Sequence, residues 1–264
     1  MMAEEYIAER DRWRGSDEAA RRAIVDDVLA GRSVDARAAT RRLHYDISRT
    51  HLAAVLWCDD GDGSPPAAER LHRTAMAMTR TTAAAGMLLI PANTTSAWVW
   101  FALTDEDTGG RAAYLRANLD PPKDVRVALG PAASGPQGMR RSHLGALQAE
   151  RIARRSGQWL CDYQEVRLVA LATAEPEHAR WFVQDVLGPL ASEGDRVREL
   201  RETLRVYLAE ERSLRAAAER LHVARNTITY RVKRAEELLP ASTASAADSL
   251  ELRLALEIAQ HLHT

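Results

Sequence analysis

Lysine is almost missing from this 264-residue chain: Lys123 and Lys233 are the only lysines among 36 basic residues, and the rest are arginine. Cysteine is as scarce. Cys58 and Cys161, far apart in the chain, supply neither a thiolate zinc site nor a disulfide framework, and read as reduced, buried thiols. No apolar run approaches the roughly 18–20 residues that a membrane helix needs, so no membrane partner is expected. The opening Met1-Met2-Ala3-Glu4-Glu5-Tyr6 is acidic and has no apolar h-region, which argues against a signal peptide and for a cytoplasmic address. The chain is 46% hydrophobic. That suffices for a sizeable core, and the length predicts one large domain or two smaller ones at roughly 100–200 residues each.

The net charge of −1 conceals an uneven distribution. Between Arg212 and Arg234 stand Arg212, Arg215, Arg220, Arg225, Arg231, Lys233 and Arg234, against one acid, Glu219. Such a local excess suits a polyanion, and it equally suits a solvated arginine-rich surface.

Periodicity organises the chain into three parts. Residues 1–45 form an amino-terminal helical segment, in which Ala20, Ile24 and Val28 recur at helical spacing beside Val25 and Leu29, with Gly31 as C-cap. A second short helix covers Asp35 to Leu43. This stripe could pack on the next domain or on a second subunit. Residues 46–170 mix strands with helices. His51–Trp57 reads as a buried strand, Asp59–Pro66 as a turn, and Ala67–Ala85 as a helix with Leu71, Ala75 and Met78 on one side. Met87–Ile90 and Ala97–Leu103 read as a hairpin joined by Pro91–Ser96. Arg111–Leu119 is a helix stopped by Pro121-Pro122, and Val125–Leu129 is a strand. Gly138–Arg155 is a helix with Leu144, Leu147 and Ile152 inward. Residues 171–264 are helical, with Pro240–Ala247 as a small-residue linker and a last helix from Leu250 to Leu262. The fold class is therefore α+β: a sheet-and-helix central domain followed by an all-helical one.

The most informative stretch is Ser213–Ile228. A helix-turn-helix needs small residues where its helices cross, and Ala217 and Ala218 supply them. It needs apolar residues around a short turn, here Leu221 and Val223. Its second helix must be amphipathic with a polar, basic outer face. On a helical wheel from Arg225, Ile228, Val232, Ala235 and Leu239 fall on one side. Asn226, Tyr230, Lys233 and Arg234 fall on the other, flanked by Thr227 and Thr229. Arginine, asparagine, threonine and tyrosine donate to phosphate, and arginine and asparagine can read purine edges. The candidate DNA-binding residues are Arg225, Asn226, Thr227, Thr229, Tyr230, Arg231, Lys233 and Arg234, and the partner is double-stranded DNA. An ordinary two-helix corner with a charged face is the competing reading.

Leu200-Arg201-Glu202-Thr203-Leu204-Arg205-Val206-Tyr207-Leu208, Ala218-Glu219-Arg220-Leu221-His222-Val223 and Arg225-Asn226-Thr227-Ile228-Thr229-Tyr230-Arg231 closely resemble the carboxy-terminal domain of PucR/CdaR-type bacterial transcriptional regulators. Upstream, Arg22–Gly31, the strand at 51–57, Val125–Gly130 and Gly138–His143 resemble the GGDEF-like domain that precedes that module. The resemblance implies a helix-turn-helix module with its core at about 197–262, sequence-specific transcription regulation, and a homodimer. It also implies a sensory input, here an unidentified small-molecule effector.

Catalysis by the middle part is not expected. A cyclase loop uses glycines for phosphate approach and carboxylates for metal, and Pro91–Ser96 has neither. Asp59, Asp60 and Asp62 follow the first strand, but a two-metal site needs a second acidic element. The alternative reading is a nucleotide-binding or cyclase-like enzyme acting through this domain; a third is a protein-interaction module. Gly130, Gly135 and Gly138 lack the Lys-Ser/Thr of a P-loop. His261 and His263 have no cysteine or acidic partner beside them. No cofactor or metal is expected.

Overall fold

The computed structural model describes residues 17–59, 65–104, 110–245 and 250–262. Asp60, Asp62 and His263 lie outside the described residues. The chain divides into two compact units, Met1–Arg167 and Leu168–Thr264.

The first unit is built on a sheet. Helix α1 covers residues 17–29, and α2 covers Ala36–Leu43 with the Asp35 carboxylate accepting from the Arg37 and Ala38 amides. Strand β1 is Thr50–Cys58, α3 Ala67–Thr81, β2 Gly86–Pro91 and β3 Ser96–Leu103. Helix α4 is Arg111–Asn118, β4 Val125–Leu129, β5 Ala133–Ser134, α5 Gly135–Ser156, β6 Leu160–Asp162 and α6 Tyr163–Ala172. The strand order is β2-β3-β1-β4-β6, with β5 beside β1. Neighbours are antiparallel except β4 and β6, which are parallel.

Strand β1 is buried from His51 to Cys58, because both of its faces are covered. Leu52, Ala54 and Leu56 face the cluster that holds Leu71, Ala75 and Met78 of α3. On the other face α5 runs very close to the sheet. The Ser142 hydroxyl accepts from the Ala53 amide at 2.7 Å, and Trp100 Nε1 donates to the Met139 carbonyl at 3.1 Å. His143, 2% exposed, lies against both Trp98 and Trp100, with ring centroids 4.6 and 5.1 Å away.

Two sequence expectations are corrected by the structure. Leu144 is 41% exposed rather than inward. The buried stripe of α5 is Met139, Ser142, His143, Ala146, Ala149, Ile152 and Ala153; Ile152 is inward as expected, Leu147 is half-buried, and helical phase turns Leu144 away from this stripe. Helix α3 stops at Thr81 rather than Ala85, with Ala83 in the left-handed region at φ 49°. Of the two options for the α1 stripe, packing within this chain holds: Val25 and Val28 are buried, and Arg140 Nε donates to the Leu29 carbonyl. Cys58 and Cys161 are free and buried, and burial pushes the Cys161 thiol up to about 12.

The second unit is helical. Helix α7 is Pro176–Leu187, followed by a 3-10 turn at Gly188–Ala191. Then come α8 Asp195–Ala209, α9 Leu214–Leu221, α10 Arg225–Glu236, α11 Ala241–Ser245 and α12 Leu250–Leu262. The expected linker at Pro240–Ala247 thus contains a helical turn, α11. Its Thr243 hydroxyl donates to the Val186 carbonyl at 3.0 Å, a tertiary anchor that local composition does not announce. One apolar core joins Val183, Leu187 and Leu190 to Leu200, Leu204, Ile228, Val232, Leu252 and Leu256.

Candidate nucleic-acid interface

The α9–α10 pair hangs on α8. Arg201, 5% exposed, donates to the Leu190 and Ser192 carbonyls at 2.8 and 2.7 Å; a buried guanidinium is tolerated because its donors are satisfied. Arg205 bridges Glu202 at 2.8 Å and Glu257 at 3.2 Å, tying α8 to α12. The Glu202 hydrogen bond to Arg205 holds that carboxyl below the usual range.

Helix α9 opens with the Ser213 hydroxyl accepting from the Ala216 amide at 3.2 Å, an ordinary N-cap. Ala217 and Ala218 are buried at the crossing, as the small-residue pattern requires. The helix ends at His222, left-handed at φ 54°, whose N–H donates to the Ala218 carbonyl. An L-residue in this conformation costs roughly 1–2 kcal/mol, yet it turns the chain tightly enough for Ala224 to start α10. Val223 donates its amide to the Ala218 carbonyl at 3.1 Å.

Helix α10 buries Ile228, Val232 and Ala235 and, just past its end, Leu239. Arg225, Asn226, Thr229, Tyr230, Lys233 and Arg234 are exposed, whereas Thr227 and Arg231 are half-buried. Ala224 occupies the N-cap with no side-chain hydrogen bond, so Asn226 lies within the first turn and does not cap it. The Thr229 hydroxyl donates to the Arg225 carbonyl at 3.1 Å.

The structure redistributes the charge. Four of the seven basic residues between 212 and 234 have carboxylate partners: Arg215 with Glu219, Arg220 with Glu210, Arg231 with Glu199 and Arg234 with Glu237. Three of those acids lie outside the sequence window. Arg231 is the most withdrawn of the four, its side chain only 24% exposed and 2.9 Å from Glu199. Exposed pairs are worth roughly 0–1 kcal/mol, so Arg215 and Arg234 can exchange partners readily. The sequence reading missed Arg196 altogether: from α8 its Nη2 donates to the Tyr230 hydroxyl at 3.0 Å, across 34 residues of chain.

Comparison with known proteins places these segments. Residues 200–258 match the PucR C-terminal helix-turn-helix domain, and residues 30–152 match the GGDEF-like domain. The chain thus carries a GGDEF-like domain followed by a PucR-type helix-turn-helix domain. It is 37% identical over 89 residues to the transcriptional activator PmfR of Paenarthrobacter nicotinovorans, covering 34% of this chain and 19% of that protein. To the purine catabolism regulatory protein of Bacillus subtilis (strain 168) it is 37% identical over 82 residues, covering 31% of this chain and 15% of that protein. The matched stretch is thus a small part of either relative's length. A solved structure, the regulator of polyketide synthase expression from Bifidobacterium adolescentis, aligns over 90% of this chain and 96% of its own at 20% identity and TM-score 0.43. Among the described residues no helix is long and apolar enough to cross a membrane.

Proposed function

We propose that this chain is a cytoplasmic transcription regulator that binds duplex DNA in a sequence-specific way through α9 and α10, as a homodimer. One observation carries the reading. In the segment that matches the PucR helix-turn-helix, α10 turns Asn226, Tyr230, Lys233 and Arg234 to solvent while Ile228 and Val232 anchor its other side. Arg225, Thr227 and Thr229 extend this surface at the amino end of α10, and Arg231 steadies it through Glu199. Both relatives are named as regulators, which supports the same reading and a non-enzymatic role.

The GGDEF-like domain is, in this proposal, a catalytically silent relay for an effector yet to be identified. The hairpin between β2 and β3 supports silence. Its turn contains no glycine and no carboxylate, and the Asn93 side chain is occupied in accepting from the Thr95 amide at 2.9 Å. Asp59, the acid after β1, is paired with Arg126 at 2.7 Å.

A single short recognition element reads few base pairs, and a two-fold pair of them reads two half-sites; that is the ground for the dimer. Sedimentation is expected to give a dimer at micromolar concentration, and a monomer with full operator affinity refutes it. For the interface, Lys233→Ala and Asn226→Ala are compared on operator and random duplex at two salt concentrations. Lys233→Ala is expected to weaken both duplexes alike and to lower the salt slope by about one per chain. Asn226→Ala is expected to cost about 1–3 kcal/mol on the operator and little on random DNA. Unchanged binding in both variants, with the fold intact, refutes the assignment of the reading face.

A further inference from the structure

We propose that Arg196, at the start of α8, is a DNA-contacting residue that acts with Tyr230 as a paired donor for a phosphate of the duplex backbone. The proposal rests on the DNA-binding reading above and extends its surface to a third helix.

Three observations carry it. The Arg196 guanidinium reaches Tyr230, which is 57% exposed on α10, at 3.0 Å. It therefore stands on the face that also holds Asn226 and Lys233, one turn either side of Tyr230. Second, two of the three acids within three residues of Arg196 are engaged elsewhere: Asp195 pairs with Arg198 at 3.1 Å, and Glu199 pairs with Arg231 at 2.9 Å; the third is the exposed Glu193. Among the described residues Arg196 has no ion-pair partner of its own. Third, the hydrogen-bond chemistry is one-sided. The Tyr230 oxygen accepts from Arg196, which leaves its O–H free to donate onward. The guanidinium carries five N–H donors and uses one here. The pair thus presents mostly donors, on a planar cation that suits phosphate oxygens.

This arrangement also separates Arg196 from Arg231. Both are arginines near the same helix, but Arg231 is half-buried and compensated by Glu199, whereas Arg196 is exposed and uncompensated. Of the two, Arg196 has the charge available to displace a counterion from DNA.

The test uses the full chain and a short random-sequence duplex, followed by fluorescence anisotropy across a salt series, with thermal melts of each variant. Arg196→Ala is expected to weaken binding several-fold at about 0.1 M salt and to lower the salt slope by about 0.9 per chain. Arg196→Lys is expected to retain the slope. Tyr230→Phe removes a neutral donor, so it is expected to weaken binding modestly and leave the slope unchanged. In the double variant Arg196→Ala/Tyr230→Phe, the losses are expected to fall short of additivity, because the two residues are in contact. If Arg196→Ala leaves affinity and slope intact while Lys233→Ala alters both, this proposal is overturned and the DNA-binding reading stands. If Arg196→Ala binds less only in step with a lowered melting temperature, and Arg196→Lys does not restore binding, the role is structural and the proposal is likewise overturned. If the wild-type chain binds neither this duplex nor operator DNA at low salt, the underlying reading fails, and this proposal fails with it.

Discussion

Gly130 follows β4 at the point where α5 crosses the sheet. It needs no left-handed backbone; what it needs is space. A Cβ built there meets the Ser142 carbonyl oxygen at 1.8 Å and the Ala146 nitrogen at 3.0 Å, both backbone atoms of α5. Gly130→Ala therefore forces α5 away by about 1.5 Å to regain van der Waals contact. That shift strains the Ser142 hydroxyl bond to the Ala53 amide, which bridges α5 to β1 at 2.7 Å. Over-packing alone costs about 1–3 kcal/mol. Leaving a buried amide unsatisfied adds about 1–3 kcal/mol. At roughly 2–4 °C per kcal/mol for a unit of this size, the melting temperature of the first unit is expected to fall by on the order of 10 °C. Trp57 and Trp100 are buried in that unit, so tryptophan fluorescence follows its unfolding. Gly157→Ala is the control: its φ is +67° but nothing lies within 4 Å, so it is expected to cost only about 1–2 kcal/mol of left-handed strain. A Gly130→Ala protein that melts with wild type, or no lower than Gly157→Ala, refutes the close-approach argument.

A second prediction concerns pH. Burial, reinforced by the nearby Arg22 cation, holds His143 down to about 4, and its Nδ1 has no hydrogen-bond partner. The native state therefore keeps this imidazole neutral while the unfolded chain, at about 6.5, binds a proton. Stability is expected to fall as pH drops from about 6.5 to about 4 and to level off below that, by on the order of 3 kcal/mol in total. His51 shifts in the same direction, chiefly through burial. His143→Phe is expected to remove most of this slope in urea titrations at several pH values, and an unaltered slope excludes His143 as its source.

Much of the fold was legible in the sequence because its signals are local. Strand β1 announces itself as an unbroken apolar run, since covering both faces of a central strand leaves no place for polar alternation. The hairpin from β2 to β3 follows from two apolar runs around a polar turn. The α9–α10 pair is legible for the same reason: Ala217-Ala218 at the crossing, Leu221 and Val223 at the turn, and Ile228, Val232 and Ala235 at helical spacing all sit within one short stretch. The outer face of α10 is then set by geometry, because burying Ile228 and Val232 leaves Asn226, Tyr230 and Lys233 outside.

Tertiary structure decided what depends on residues far apart in the chain. The parallel pairing of β6 with β4 involves a three-residue strand too short to carry any period. Leu144 is apolar, yet the buried stripe of α5 runs through Met139, Ser142, His143, Ala146 and Ala149, and helical phase leaves Leu144 on the outer side. The charge of the interface was the least legible feature. An arginine side chain spans several ångströms, so its partner is chosen by which acid the fold brings near. Glu199 and Glu210 neutralise Arg231 and Arg220 from outside the basic stretch, and Arg196 enters the α10 face from α8. Local pattern determined that a polar, basic helix face exists; the packing of α8 against α10 decided that Glu199 compensates Arg231 and that Arg196 joins that face.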